Sequence, residues 1–337
     1  MHSAIADVIV IGAGLTGALI AARLAEQGMR VQVLEAYKAG HGATRRALGL
    51  VTPDPQPAHF AQTRQSSERL KQIAASFGAL RQTCDVLHAA SSPSAQRALA
   101  QLLQTTDGLA WLSQASDPLP GGLSGGLVVK AGAQIDLDYL IIRLLRRSGV
   151  SVRQHTEVLS LEIDEASSGV FVMCRHDTYF APRVVLATNV YAGALSPYLA
   201  ESLRPARGAL WVSHPLAPSA LPALLLRQPV VIDGGQAALL PSEDGRVQAV
   251  AWFWQTQDLA RDPLVALRDL LRRFGLGEAA QTSGWHATLT TTTADGTPLV
   301  GCLDAKRRVL YAVGLGIYGL AWAATVADQI VTMTLTP

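Results

Sequence analysis

Residues 7–36 read DVIVIGAGLTGALIAARLAEQGMRVQVLEA, a stretch that admits few folds. Val8 to Ile11 is a continuous apolar run, the pattern of a parallel strand buried on both faces. Gly12, Gly14 and Gly17 follow in G-x-G-x-x-G spacing. The first glycine permits the tight turn out of the strand. The second lets a pyrophosphate approach the backbone, and the third lets the next helix pack against the sheet. Ala18 to Gln27 reads as that helix, its N-terminal amides aimed at the phosphates. Gly28 ends it, and Val31 to Leu34 returns as a second strand. Glu35 closes that strand about 20 residues after the glycines, where a carboxylate takes ribose hydroxyls. The unit serves both nicotinamide dinucleotides and flavin adenine dinucleotide (FAD), so the choice between them rests on the rest of the chain.

The 337 residues suggest one large domain or two intimately joined ones. A 49% hydrophobic, 16% charged composition gives a globular chain with ample core. A net charge of +2 is too small to point to a polyanion partner. The basic residues are nearly all arginine, which suits phosphate and carboxylate recognition. Cys84, Cys174 and Cys302 are widely spaced and read as small buried residues, with no metal or redox pattern. The N-terminus enters the first strand without a signal-peptide pattern, and no apolar run is long enough to span a bilayer. A cytoplasmic location and no membrane span are therefore expected.

Residues 40–60 read as a long irregular loop, a length usually reserved for function. Helices are expected over 61–80, 95–112 and 262–275, and a strand over 84–90. Asp136 or Asp138 stands at the start of a further helix, where it can cap. TEVLSLEID and VFVMCRHDTYFAPRVVLAT look like a three-strand meander followed by a buried parallel strand at 184–188. Residues 205–256 are strand-rich, the threonine run Thr290–Thr293 reads as strand, and Trp252 and Trp254 share a strand face by alternation. A strand at 309–315 leads to a final helix over about 319–333. The expected fold is α/β (α+β overall): a Rossmann-like dinucleotide-binding domain with an inserted antiparallel-sheet substrate domain. Residues 1–80, 130–205 and 280–337 make the first, and 81–129 and 206–279 the second.

Five segments together resemble the FAD-dependent D-amino-acid-oxidase and glycine/sarcosine-oxidase superfamily, over nearly the whole length. They are the opening unit, GHGATRRALGLV, GAQIDLDYLIIRLLRRSGVSVRQHTEVLSLE, RVVLATNVYAGAL, and TTADGTPLVG with LYAVGLGIYGLAWAATVADQI. The resemblance implies FAD as cofactor. It implies that Gly12, Gly14, Gly17 and Glu35 hold its ADP half. Thr44 and Arg45 meet the diphosphate or flavin edge, and Val158 meets the adenine. The segment Gly314, Gly316, Ile317 and Gly319 opens the final helix toward the flavin pyrimidine, where reduced flavin is anionic and a helix N-terminus stabilises it. No metal is expected.

The implied chemistry is oxidation of a C–N bond in a small amine or amino acid, with hydride passing to flavin N5 and then to oxygen or another acceptor. Candidate substrate-side residues are Tyr318, His286 and Tyr191, with Trp285 nearby. The family's carboxylate-clamping arginine is missing: Leu289 and Thr290 stand there, and Ala238 replaces a family tyrosine. Arg204, Arg207 or Arg45 remain as substitutes. CDVLHAASSPSAQRALAQLL, RRALGLVTP and GLGIYGLAWAATVADQI also resemble the FAD domain of the bifunctional tRNA wobble-uridine methylaminomethyl-modifying enzyme. That gives an alternative substrate, a carboxymethylaminomethyl-type tRNA wobble uridine. A third reading is a catalytically silent flavin-binding subunit.

Overall fold

The elements in chain order are β1 (Val8–Ile11), α1 (Leu15–Glu26), β2 (Val31–Leu34), β3 (Leu50–Val51), α2 (Pro57–Ser76), β4 (Leu80–Ala90), α3 (Pro93–Gln104), β5 (Leu112–Gln114), β6 (Gly125–Ile135), α4 (Leu137–Leu145) and β7 (Val150–Arg153). Then follow β8 (Val158–Asp164), β9 (Gly169–Cys174), β10 (Thr178–Ala181), β11 (Arg183–Leu186), α5 (Pro197–Ser202), β12 (Arg204–Val212), β13 (Val230–Ile232), β14 (Ala237–Pro241) and β15 (Val247–Trp254). The chain ends with α6 (Pro263–Arg273), β16 (Gly284–Thr292), β17 (Leu299–Cys302), β18 (Val309–Val313) and α7 (Gly319–Leu335). This computed structural model describes residues 6–104, 112–114, 119, 121–123, 125–166, 168–221, 223, 225, 228–254, 262–279 and 284–336.

β1 sits inside a six-stranded sheet of order β17-β18-β11-β1-β2-β7. All its neighbouring pairs are parallel except β17 with β18. Its strands come from the beginning, middle and end of the chain, as the sequence pattern implied. The apolar run of β1 is split between two cores by alternation. Val8 and Val10 pack with α1, α4 and α7. Ile9 and Ile11 pack with Val170, Val172 and Ala181 of the meander β10-β9-β8. A strand covered on both faces needs an apolar residue at every position, which is why this segment reads so clearly.

The second sheet has nine strands, in the order β16-β12-β15-β14-β13-β4-β6-β3, with β5 paired to β6. Its pairs are antiparallel except β13 with β4. One face, with Leu210, Val231, Ala238 and Val250, joins the core of the first sheet's helices. The other, with Ala209, Trp211, Leu239 and Ala249, packs on Leu267, Leu270 and Leu271 of α6. β16 lies within the stretch expected to belong to the dinucleotide unit, yet it pairs along its whole length with β12.

Local signals placed most elements. Pro57 starts α2 at a position where proline's missing N–H costs nothing. Asp136 caps α4 by accepting from the Tyr139 N–H, and Asp262 caps α6 through the Leu264 N–H. β4 runs from Leu80, longer than expected, and α3 ends at Gln104, with 105–111 outside the described residues. Among the described residues, no helix is long and apolar enough to cross a membrane.

Candidate active site

A cleft of about 1100 Å³ opens at the C-terminal ends of β1, β2 and β11 and continues to the face of the large sheet. Open parallel sheets bind ligands at this end of their strands. Gly12 has φ +101°, and a Cβ there would lie 2.6 Å from the Ala187 carbonyl oxygen. Only glycine fits that crossing between the β1 turn and the end of β11. Glu35 reaches back to the glycine loop: Oε2 accepts from the Ala13 N–H (2.8 Å) and Oε1 from the Tyr37 N–H (2.9 Å). Thr44 Oγ1 accepts from the Leu15 N–H (3.1 Å) at the first turn of α1. That helix begins at Gly14 with no side-chain cap from it and no acid in its first turn, so its positive end faces the cleft. Val158 lines the same end, beside Thr156 and Glu157.

At the other end, Gly316 and Gly319 line the cleft with Ile317 and Leu320. The Gly316 N–H donates to the Thr291 carbonyl (2.9 Å), and its own carbonyl accepts from Thr290 Oγ1 (3.4 Å). The threonine run of β16 therefore holds the turn that opens α7. Like α1, α7 has neither a side-chain cap from its N-cap residue nor an acid in its first turn. Gly314, with φ +73°, stands behind the turn against Leu203 and Thr293 and does not line the cleft. Gly17 packs behind Gly12 and Ala187, the helix–sheet contact expected of it.

The large sheet closes the cleft with Gly208, Trp252, His286, Thr288 and Thr290. Register sets Gly208 opposite both Trp252 and Thr288. A Cβ at Gly208 would lie 2.6 Å from the Trp252 ring and 2.9 Å from the Thr288 methyl, so its absence lets both side chains lie over the strand. Trp252 is a wall of the cleft, while the side chain of Trp254 lies outside the described residues. Tyr191 and His286 are both exposed and both line the cleft.

Three expectations are corrected by these positions. Arg45 is exposed and absent from the cleft wall, whereas half-buried Arg46 lines it and donates to the His41 carbonyl (3.4 Å). The single turn Thr44–Arg46 places adjacent side chains about a third of a revolution apart, so only one arginine can face inward. Arg204 is exposed and does not line the cleft, whereas Arg207, also exposed, does line it, from the β12 face that carries Ala209 and Trp211. Tyr318 lines a separate, smaller cavity behind the Leu315–Ile317 wall. It is 8% exposed, its hydroxyl has no partner among the described residues, and burial raises its ionisation well above the usual tyrosine range. Its ring stacks on His88 at 6.2 Å.

The sequence reading missed Thr188 and Thr288. Both line the cleft, and each has a buried hydroxyl with no partner among the described residues. Buried polar groups are normally paired, so such orphans mark places where a ligand completes the set. Thr188 lies two residues past the end of the parallel strand β11, and the strand-end rule alone would have found it. Thr288 is identified only by the pairing of β16 with β12.

A split α/β domain with its cleft facing a large, mostly antiparallel sheet defines the two-domain dinucleotide-dependent oxidoreductases. Residues 7–333 match the model of the FAD dependent oxidoreductase family, DAO, and the chain belongs to that family. It is 24% identical to the glycine oxidase of Bacillus licheniformis over 98% of this chain and 93% of that protein. It is 31% identical to the tRNA 5-methylaminomethyl-2-thiouridine biosynthesis bifunctional protein MnmC of Polaromonas sp., over 95% of this chain and 55% of that one. The chain thus spans about half the length of such tRNA-modifying relatives. In structure it resembles glycine oxidase from Geobacillus kaustophilus (TM-score 0.79, 19% identity, 98% and 94% of the two chains). It also resembles L-proline dehydrogenase from P. horikoshii (TM-score 0.79, 18% identity, 98% and 93%).

FAD is the cofactor of this family, and the cleft fits it. There is a glycine cradle that a Cβ would fill, a carboxylate at the end of β2, two helix N-termini with no acid in the first turn, and hydroxyls at Thr188 and Thr288 that are unpaired among the described residues.

Proposed function

We propose that this chain oxidises the C–N bond of a small amine or amino acid. The observation that carries this reading is the continuity of one cleft from the Gly12–Glu35 cradle to the Trp252–Thr288 face of the large sheet. On this reading Gly12, Gly14 and the α1 N-terminus bind the diphosphate, with Thr44 and Arg46 beside it. Glu35 orients the ribose, and Val158 lines the adenine slot. Gly316, Ile317 and Gly319 set the α7 N-terminus toward the flavin pyrimidine, with Gly314 shaping the turn. FAD, when bound, supplies the acceptor for hydride leaving a carbon attached to a neutral amine.

The chain's own residues position and desolvate. Trp252 and the Thr288 methyl exclude water from the sheet side of the cleft. The Thr288 hydroxyl offers a hydrogen bond to the substrate. His286 and Tyr191 guard the mouth, where His286 can accept the proton that a cationic amine must lose. Tyr318 acts from behind the turn. Function thus divides by sheet: the parallel sheet serves the cofactor and the large sheet the substrate, with β16 on the substrate side. Three free cysteines fit a reducing, cytoplasmic setting.

The test is the visible spectrum of purified protein during anaerobic addition of amines and amino acids. Flavin bands bleached by one compound class would establish the reaction. A protein that takes up no FAD would refute it. The MnmC relatives favour a second reading, modification of a carboxymethylaminomethyl-type wobble uridine, and bleaching only by tRNA carrying that group would select it. A yellow protein bleached by neither would be a silent flavin-binding subunit.

A further inference from the structure

Thr288 and Thr290 lie on the face of β16 that closes the cofactor side of the cleft. Alternation puts Trp285 and Leu289 on the opposite face. There Trp285 packs, with Leu264 of α6, against the core that holds Ala209, Trp211 and Leu267. Yet Trp285, Leu264 and Leu289 line the same cleft as Thr288. One cavity that touches both faces of a strand has to pass around its edge. β16 permits this because it ends the large sheet: β12 pairs with one side, and among the described residues no strand pairs with the other. The Gly316 turn meets that free edge at Thr291, while Gly284, His286, Ala287 and Leu289 are exposed. The cleft is therefore bent, with an inner arm over the Trp252–Thr288 face and an outer arm on the α6 side.

The outer arm has its own chemistry. Arg207 lines the cleft directly opposite Leu289 in the β12–β16 register, so the two share the outer face. It is exposed, and among the described residues it makes no hydrogen bond or ion pair. The carboxylate nearest in the wall of this arm, Asp262, is engaged at the start of α6, where it accepts from the Leu264 N–H (2.9 Å). Arg268 of α6 lies over the Trp285 ring, 5.2 Å from its centroid, and adds a second positive charge. Leu289, 40% exposed, and Leu264 give the arm an apolar wall. An apolar wall that ends at an uncommitted guanidinium suits an alkyl chain that ends in a carboxylate.

Geometry also sets the length. A molecule that passes from one face of the sheet to the other must span roughly 10 Å, about the distance at which sheets stack. An α-amino acid carries its carboxylate on the carbon beside the nitrogen and cannot reach. An extended chain of about eight bonds can.

We propose that the outer arm is a subsite for the far end of the substrate, an unbranched amine whose other end is a carboxylate held by Arg207. The inference deepens the amine-oxidation reading and rests on it for the amine end. Arg207 here is a specificity residue. It touches the remote carboxylate and takes no part in hydride transfer.

The test is anaerobic titration of the FAD-loaded protein with 8-aminooctanoate, its neutral counterpart 8-aminooctanamide, and glycine, following the flavin spectrum for both band shift and bleaching. The acid should bind about fivefold more tightly than the amide, as one exposed charge-assisted contact gives. Glycine should gain nothing from Arg207. Arg207→Gln should bring the acid to the amide's affinity, and Arg207→Lys should restore part of the difference. Equal affinity for acid and amide in the parent protein, a preference that survives Arg207→Gln, or binding of neither compound would overturn the subsite. The two readings fail differently. A flavin bleached by short amines with no preference for the acid sinks the subsite and leaves oxidation intact. A band shift that prefers the acid, with no amine ever bleaching the flavin, keeps the subsite and sinks oxidation.

Discussion

At the glycine-loop end of the cleft, the chain offers mostly backbone: the Gly12 turn, the amides opening α1, and a carboxylate that braces the loop through the Ala13 N–H. At the sheet end it offers side chains from three strands, Thr288 of β16, Trp252 of β15 and the bare Gly208 of β12 between them. The first end is specified within thirty consecutive residues. The second is assembled from positions about 80 residues apart and exists only once the sheet has formed. A backbone site tolerates almost no change at a few positions, whereas a side-chain site can exchange residues and thereby substrates. This accounts for a chain that keeps the FAD cradle of its family while Leu289, Thr290 and Ala238 stand where an arginine and a tyrosine are expected.

The largest effect should come from the backbone end. Gly12→Ala puts a methyl 2.6 Å from the Ala187 oxygen at a φ of +101°. Neither group can yield, because both belong to paired parallel strands or their immediate ends. FAD affinity is expected to fall by about a hundredfold or more, given the strain of several kcal/mol such positions carry. The readout is flavin absorbance per purified chain and an FAD titration of apoprotein. Normal flavin content in Gly12→Ala would show that the cradle matters less than the sheet face.

The next effect belongs to the sheet side and comes from pH. His88, on β4, is buried beneath the Tyr318 ring and bonded through Nε2 to Thr52 (2.9 Å). Burial drives its ionisation down to about 3 from an ordinary 6.5. A folded-state value below the unfolded one gives stability that is full above pH 6.5 and is lost as pH falls through that window toward 3. At pH 5 the loss is about 2 kcal/mol for one proton. Thermal melts from pH 7 to 4 should show it, and His88→Gln should flatten the slope. An unchanged slope in that variant would assign acid sensitivity elsewhere. Thr288→Val should act more narrowly: flavin reduction by the best amine slows about tenfold while FAD affinity stays within a factor of two, the cost of one missing hydrogen bond. Equal losses of both would merge the two ends into a single site.

Legibility follows the same division. The parallel sheet, the meander, the final helix and the FAD cradle could be read because each depends on local spacing: glycines at fixed offsets, unbroken apolar strands, a proline or aspartate at a helix start. The partner of β16 is not legible, because its threonines alternate like any strand and nothing local says that it pairs with β12. A place within the Gly316–Gly319 turn makes Tyr318 a substrate-side candidate, yet it lines the smaller cavity and not the cleft. One position in a turn is enough to send a side chain behind the wall. Thr188 was readable in principle from its strand end, and Thr288 was not, since its role depends on register across two strands.

The smallest expected effect tests that last kind of error, at adjacent residues. Arg45 and Arg46 share a composition, a neighbour and a turn, and differ in the direction they face. Arg46→Ala should lower FAD affinity about fivefold, the loss of one partly exposed charge-assisted contact near the diphosphate, and the deficit should shrink with added salt. Arg45→Ala should change affinity by less than about a factor of two, as an exposed charge outside the cleft does. If the two variants behave alike, the guanidinium acts only through the general field of the loop. If their order is reversed, the Thr44–Arg46 turn rotates when the cofactor binds, and the backbone end of the cleft is less preformed than its hydrogen bonds to Glu35 and Thr44 imply.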